Sequence, residues 1–396
     1  MVYLIAFLFI LYTWILVDLK HYYGLKKFAI FISLLFLILI SGLRYRVGGD
    51  SLHYMDTYSS MPTMLTLNQV DFEEGYGPLW YLFCALSKSI GADFVFLQLF
   101  HAVIVNLTFV HFFYKKSVSV LACLLIYFLL YYFYYNMEIL REALAVCVFC
   151  YNYTNLVQKR YVPYYLISLI AVGFHFSALV LLFFPLLYRF VQLKHVYTYM
   201  FIGIISTSFI FFFIIPQYYN LLMVYAPIIA LKLKSYSTLS LNNLLGILFY
   251  AIPFLVFSLL YKISGNDVKK FSIPDIYMVR ILLFFLFLGS VNQGIMRISN
   301  YLMPLAIPYI INVGYTCFHK NKKGNAFLKL SFIGCILMLM LQKVYYYCED
   351  TSVLSDHTRR YELWYPYESV FNPIRHFNRE LIYYNAMYNQ SVIRDK

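Results

Sequence analysis

Apolar residues in this chain come in unbroken runs. Stretches such as Phe28 to Ile40 and Ile281 to Leu288 leave no polar face to turn toward water. A run of that kind belongs in lipid, and a bilayer core about 30 Å thick takes about 20 helical residues to cross. The pattern predicts twelve crossings, over residues 2–17, 28–43, 94–113, 118–135, 139–157, 162–174, 176–188, 196–215, 244–261, 276–296, 301–318 and 330–347. No basic segment precedes the first run and no small-residue cleavage site follows it, so it is expected to be a retained helix rather than a signal peptide. Between the second and third runs, residues 44–93 are too polar to span. Within them residues 76–90, with Pro78 and Lys88, are amphipathic and are expected to lie along the outer interface. The fold class is therefore all-α and polytopic: residues 1–347 form a transmembrane bundle carrying the 44–93 loop, and residues 348–396 form an outer-face tail.

Composition agrees with lipid as the solvent. Of 396 residues, 62% are apolar, 21% aromatic and only 12% charged, about half the charge of an ordinary soluble domain. This excludes a nucleic-acid-binding domain, a disulfide-stapled secreted module and a water-soluble enzyme, despite a net charge of +13. Lysine placement accounts for that charge. The clusters Lys20/Lys26/Lys27, Lys115/Lys116, Lys159/Arg160, Arg189/Lys194, Lys262/Lys269/Lys270 and Lys320/Lys322/Lys323 are all expected on the cytoplasmic side. Twelve crossings satisfy all six, with both termini outward. Most arginines and carboxylates then face outward, against the insertion signal. Guanidinium suits bidentate recognition of phosphate and carboxylate. In the tail, Arg359, Arg360, Arg375, Arg379 and Arg394 read as solvated residues. Arg44, Arg46, Arg141 and Arg297 instead abut the outer ends of apolar helices, where an uncompensated charge costs a few kcal/mol.

Candidate chemistry gathers on that outward side. Gly48 and Gly49 allow a tight turn and a close approach, and Asp50 follows them with Arg44 and Arg46 nearby. Asp50 is either half of an ion-pair network or a catalytic base, and Glu73 is the second candidate base. Arg141 and Arg297 either bind an anion or pair with Glu138, Glu142 or Asp50. His175 joins two apolar runs of about 13 residues, roughly 20 Å of helix each and too short to cross fully. It is expected below the outer surface, as a phosphate donor or acid, or as a hydrogen-bonded cavity wall. No metal-ligand spacing, P-loop or GxSxG elbow occurs, so no metal or cofactor is expected. Most of the seven cysteines lie within spans and read as packing residues. The 42 tyrosines and 38 phenylalanines are mostly interfacial belts, although stacked rings with hydroxyls also hold sugars.

These pieces, taken in order, resemble the EpsG family of bacterial polysaccharide polymerases, which is grouped with Wzy-type repeat-unit polymerases. They are Gly42-Leu43-Arg44-Tyr45, Gly48-x-Asp50-x-x-x-Tyr54, Glu73-x-Gly75-Tyr76, Arg141-x-x-x-Ala145, Phe174-His175-x-Ser177-Ala178, Arg297-x-x-x-Tyr301 and Tyr365-Pro366-Tyr367. Glu142 stands where the family usually has glutamine, and Glu74 where proline is usual. A fainter likeness to GT-C lipid-linked-sugar transferases lies in Asp50 after an early span and Pro78-Leu79-Trp80 before the next. The resemblance implies a membrane glycosyltransferase that polymerises undecaprenyl-diphosphate-linked oligosaccharides at the outer face of the bacterial inner membrane. The product would be O-antigen, capsule or exopolysaccharide. It implies Asp50, Glu73 and His175 as catalytic groups and Arg44, Arg141 and Arg297 on the diphosphate. Tyr45, Tyr54, Tyr76 and Tyr301 would line the substrate. Partners would be the lipid-linked oligosaccharide, membrane lipid and a chain-length regulator, and no nucleic acid. Two other readings stay open: a lipid-linked oligosaccharide flippase, and an O-antigen ligase or acyltransferase.

Overall fold

A computed structural model describes residues 1–69, 76–225, 241–264, 273–289, 293–320, 326–351 and 357–394. The chain is an all-α polytopic membrane protein. Pairing of extended backbone among the described residues is limited to isolated bridges, such as Arg44 with Ser369. Two compact units divide the chain, one of Met1–Leu179 with Lys343–Lys396 and the other of Val180–Gln342.

In the first unit the apolar runs become α1 (Val2–Trp14), α2 (Lys26–Gly42), α5 (Phe94–Lys116), α6 (Val120–Leu130), α7 (Leu140–Val157) and α8 (Tyr161–Phe174). The polar loop adds α3 (Ser51–Ser60) and α4 (Pro78–Ser89). Local chemistry fixes the starts of these helices. The Asp93 carboxylate accepts from the Phe96 N–H at 3.0 Å to cap α5, Ser119 Oγ accepts from the Ala122 N–H at 3.0 Å to cap α6, and Pro78 stands in the first turn of α4. Among the described residues, four helices are long and apolar enough to cross a membrane: Val2–Leu19, Tyr23–Gly42, Phe94–Lys116 and Ala326–Cys348.

Buried polar pairs hold the bundle in register. Asn106 Nδ2 donates to Asn136 Oδ1 at 2.7 Å, and Asn136 Nδ2 donates to the Tyr127 hydroxyl at 2.7 Å. These bonds pin the π turn Tyr134–Glu138, which links α6 to α7, against α5. In apolar surroundings such groups are costly unless fully paired. Asn152 Nδ2 similarly joins α7 to α8 through the Tyr164 carbonyl at 2.8 Å.

The second unit carries helices Phe184–Phe190, Val196–Phe209, Tyr219–Tyr225, Leu241–Ser264, Ile273–Gly289, Gln293–Ser299 and Met303–Tyr315. Phe254, Phe257, Ile281, Leu286 and Ile310 form part of its core. The expected span 176–188 takes another form, beginning as a 3₁₀ turn, Phe176–Phe183, before α-helix starts at Phe184. The expected span 276–296 is helical in its described residues, up to Gly289 and from Gln293.

The tail departs from the expected solvated segment. Its backbone pairs with the stretch after α2: the Tyr45 N–H donates to Glu368 O at 2.9 Å, the Gly48 N–H to Leu363 O at 2.8 Å and the Val370 N–H to Leu43 O at 2.9 Å. A helix, Phe377–Arg394, follows. Arg379 is only 1% exposed, and donates to the carbonyls of Glu362 (3.1 Å), Arg46 (3.2 Å) and Pro366 (2.5 Å). Arginine reads as solvated from its charge alone, but five donors on a long apolar stem suit it to tying irregular backbone together.

Candidate active site

Residues 44–50 run along the π turn that opens α7. Gly48 has φ of +114°, and a Cβ there would lie 2.7 Å from the Met137 carbonyl oxygen. Both the left-handed backbone and the close approach require glycine. Gly49 lies against Glu138, whose Cγ would be 3.4 Å from an added Cβ. Asp50, exposed, then opens α3.

α3 and α4 pack over the starts of α5 and α7. Tyr54, Tyr58, Tyr76, Trp80, Tyr81 and Cys84 share one buried cluster with Phe94, Leu97, Leu140 and Leu144, and Phe174 packs against it. α4 is amphipathic, as expected of residues 76–90, with Trp80, Tyr81, Cys84 and Ala85 turned inward. The Tyr58 hydroxyl donates to Ser87 Oγ at 3.0 Å, and Lys88 Nζ donates to Ser59 O at 2.9 Å.

Arg141 lies on this aromatic surface. Its guanidinium carbon is 4.2 Å from the Tyr76 ring centroid and 5.9 Å from that of Tyr54, and it hydrogen-bonds Tyr54. His101, fully buried on α5, shares a 3.0 Å hydrogen bond with the Leu140 carbonyl and so fixes the turn that carries Arg141. Glu142, the neighbour that departs from the family pattern, is turned inward at 2% exposure. The Tyr76 hydroxyl shares a 2.8 Å hydrogen bond with His53 Nε2. Burial pushes the Tyr54 hydroxyl up to about 12, with Arg141 pulling it down and Asp50 adding to the rise. A guanidinium on ring faces is held by their quadrupoles, and its N–H edge remains suited to planar anions.

The expected site residues do not all come together. Asp50, Tyr54, Tyr76 and Arg141 come together, and His53 joins them. His53 stands three residues after Asp50, on α3, a spacing readable from the sequence. His175 caps α8, half-buried, with Nδ1 2.6 Å from Ser177 Oγ. Gly77 packs so closely on Gly173 that a Cβ would collide with the Gly173 carbonyl, so Tyr76 and His175 flank one backbone contact.

Arg44 is buried in the segment that follows α2. At 1% exposure, it donates through Nε to Val47 O at 2.9 Å and through Nη1 to the Ser41 carbonyl. Tyr45 is half-buried beside the tail. Arg297, exposed, and Tyr301, fully buried, belong to the second unit. Glu73 lies outside the described residues.

Apolar helices carrying a polar, aromatic and cationic loop define a polytopic membrane protein. The chain belongs to the EpsG family, whose model matches residues 27–369, and so has a polysaccharide polymerase-type role. No curated protein and no solved structure matches it. The helix Phe377–Arg394 lies beyond the matched residues.

Proposed function

We propose that this protein is a membrane glycosyltransferase that joins undecaprenyl-diphosphate-linked oligosaccharide units into a polymer at the outer face of the bacterial inner membrane. Supporting this orientation, Lys26 and Lys27 begin the helix whose far end leads to Asp50, and Lys159 and Arg160 follow the end of the helix that Arg141 begins. One observation carries the proposal: Arg141, half-buried on Tyr76 and Tyr54, in a cluster that also includes His53 and lies next to the exposed Asp50.

The reaction needs two things from the protein. An acceptor hydroxyl attacks the anomeric carbon of the donor sugar, the bond from that carbon to the diphosphate oxygen breaks, and its electron pair leaves with the lipid diphosphate. The hydroxyl proton passes to Asp50. Arg141 meets the charge that grows on the diphosphate, where low water content strengthens charge-assisted hydrogen bonds. His175 assists the leaving phosphate, and Tyr54 and Tyr76 offer ring faces to sugar. The part assigned to Arg297 rests on its motif and is tested by its own alanine variant.

Asp50→Asn in proteoliposomes supplied with lipid-linked repeat units should lower polymer formation by about 10²–10⁴-fold, the usual contribution of a positioned base. Polymer of wild-type length and yield from that variant would overturn the assignment. Lengthening by purified protein separates a polymerase from a flippase, which moves units without joining them.

A further inference from the structure

The Val180–Gln342 unit carries a cluster of cations and rings that polymerisation leaves unused. Arg280 sits seven residues into the helix Ile273–Gly289, about 10 Å from its start at 1.5 Å per residue. A charge that deep in an apolar helix needs compensation. Its guanidinium carbon lies 5.4 Å from the ring centre of Tyr277, one turn back toward the helix start, and 5.6 Å from that of Tyr197, in the first turn of Val196–Phe209. Nη1 donates to the Val191 carbonyl at 3.1 Å, just past the end of Phe184–Phe190. The Lys262 ammonium comes within 5.8 Å of the same Tyr197 ring from the last turn of Leu241–Ser264. Two helix ends and two helix starts therefore gather at one end of the unit. Arg189, Lys194 and Lys262 mark it as the end expected to face the cytoplasm.

Charge there is unevenly balanced. Arg189, Lys194 and Lys262 are exposed. Asp275, the acid in the first turn of the Arg280 helix, is buried. Among the described residues no carboxylate pairs with Arg280, its buried Nε has no hydrogen-bond partner, and Nη1 alone is bonded. The long arginine stem turns back toward the helix start, which lifts the guanidinium to headgroup depth. Ring faces hold its charge without using its N–H donors. Leu259 and Ile263, exposed, stand beside Lys262 on its helix. A ligand that matches these features is anionic at its head and apolar along its length.

We infer that this cluster binds the phosphate of an anionic phospholipid from the leaflet it faces. Arg280 and Lys262 contact the phosphate, and Tyr197 and Tyr277 hold the guanidinium in place. Basic pockets among helices at the cytoplasmic surface suit such headgroups. The lipid is a resident of the fold, bound without any part in the chemistry assigned to Asp50 and Arg141.

Native mass spectrometry of the full-length protein in detergent tests this, with titration by phosphatidylglycerol, phosphatidylcholine and glycerol phosphate. Phosphatidylglycerol should bind more tightly than phosphatidylcholine, whose choline cancels the phosphate charge, and glycerol phosphate should not displace it. Arg280→Gln should weaken phosphatidylglycerol binding about 10-fold or more, the scale of a lost charge-assisted hydrogen bond. Lys262→Gln should weaken it about 5-fold. Because Arg280 also holds the Val191 carbonyl, thermal unfolding without lipid checks its fold, and Lys262→Gln, at an exposed helix end, keeps the test independent of that bond. Equal binding of the two lipids, or wild-type affinity in folded Arg280→Gln and Lys262→Gln, would overturn the site. Displacement of the lipid by equimolar glycerol phosphate would overturn the lipid assignment in favour of a soluble phosphate ester.

Discussion

Two regions of the first unit use arginine in opposite ways. In the clamp between residues 44–48 and the tail, Arg44 and Arg379 are each 1% exposed, and their donors go to backbone carbonyls. Arg46 there grips Glu380 with two 2.6 Å bonds. In the aromatic pocket, Arg141 is half-buried and rests on the ring faces of Tyr54 and Tyr76. All of these residues offer five donors. Backbone carbonyls take donors of Arg44 and Arg379 and fix the chain there, whereas the ring faces of Tyr54 and Tyr76 hold the charge of Arg141.

The contrast can be broken most directly at Arg141. Arg141→Ala is expected to slow polymerisation by about 10²–10³-fold, the scale for one donor aimed at developing charge, with normal protein yield. A folded variant of unaltered rate would remove the distinction between the regions. Arg44→Leu should act on the other quantity. It leaves the Ser41 and Val47 carbonyls unmet, at a cost of about 3 kcal/mol, read as lower thermal stability in detergent rather than lower turnover per folded molecule. A rate loss without a stability loss would move Arg44 back to the pocket.

The smallest effect lies in the Arg46–Glu380 pair, whose side chains are 9% and 19% exposed. Burial alone would lower the Arg46 guanidinium, but the hydrogen bond and charge of Glu380 raise it above its ordinary value. A double-mutant cycle of Arg46→Ala and Glu380→Ala should give a coupling of about 1 kcal/mol in unfolding. A coupling indistinguishable from zero would make the pair an incidental surface contact.

The helices were largely legible from the sequence because an unbroken apolar run has only one way to satisfy its backbone in lipid. Pro78 and the amphipathic spacing after it marked α4. Asp50, Tyr54, Tyr76 and Arg141 were legible as a group through their motif. The fate of Arg44 was not, since its partners are carbonyls and carbonyls carry no sequence signature. Nor was the docking of residues 359–394, a polar stretch whose contacts lie more than 300 positions away. The His53–Tyr76 hydrogen bond depends on where the 44–93 loop returns, which no local pattern encodes.

The grip of Glu380 on Arg46 also has a meaning in time. Arg46 leaves the ribosome early, yet its lock comes 334 residues later, after all of Val180–Gln342 has been made and inserted. Through most of biosynthesis the Asp50 turn therefore waits without its fastener. A polypeptide cut short before position 380 would contain every group assigned to the chemistry and the backbone bonds made by residues 363–370, but not the carboxylate that grips Arg46.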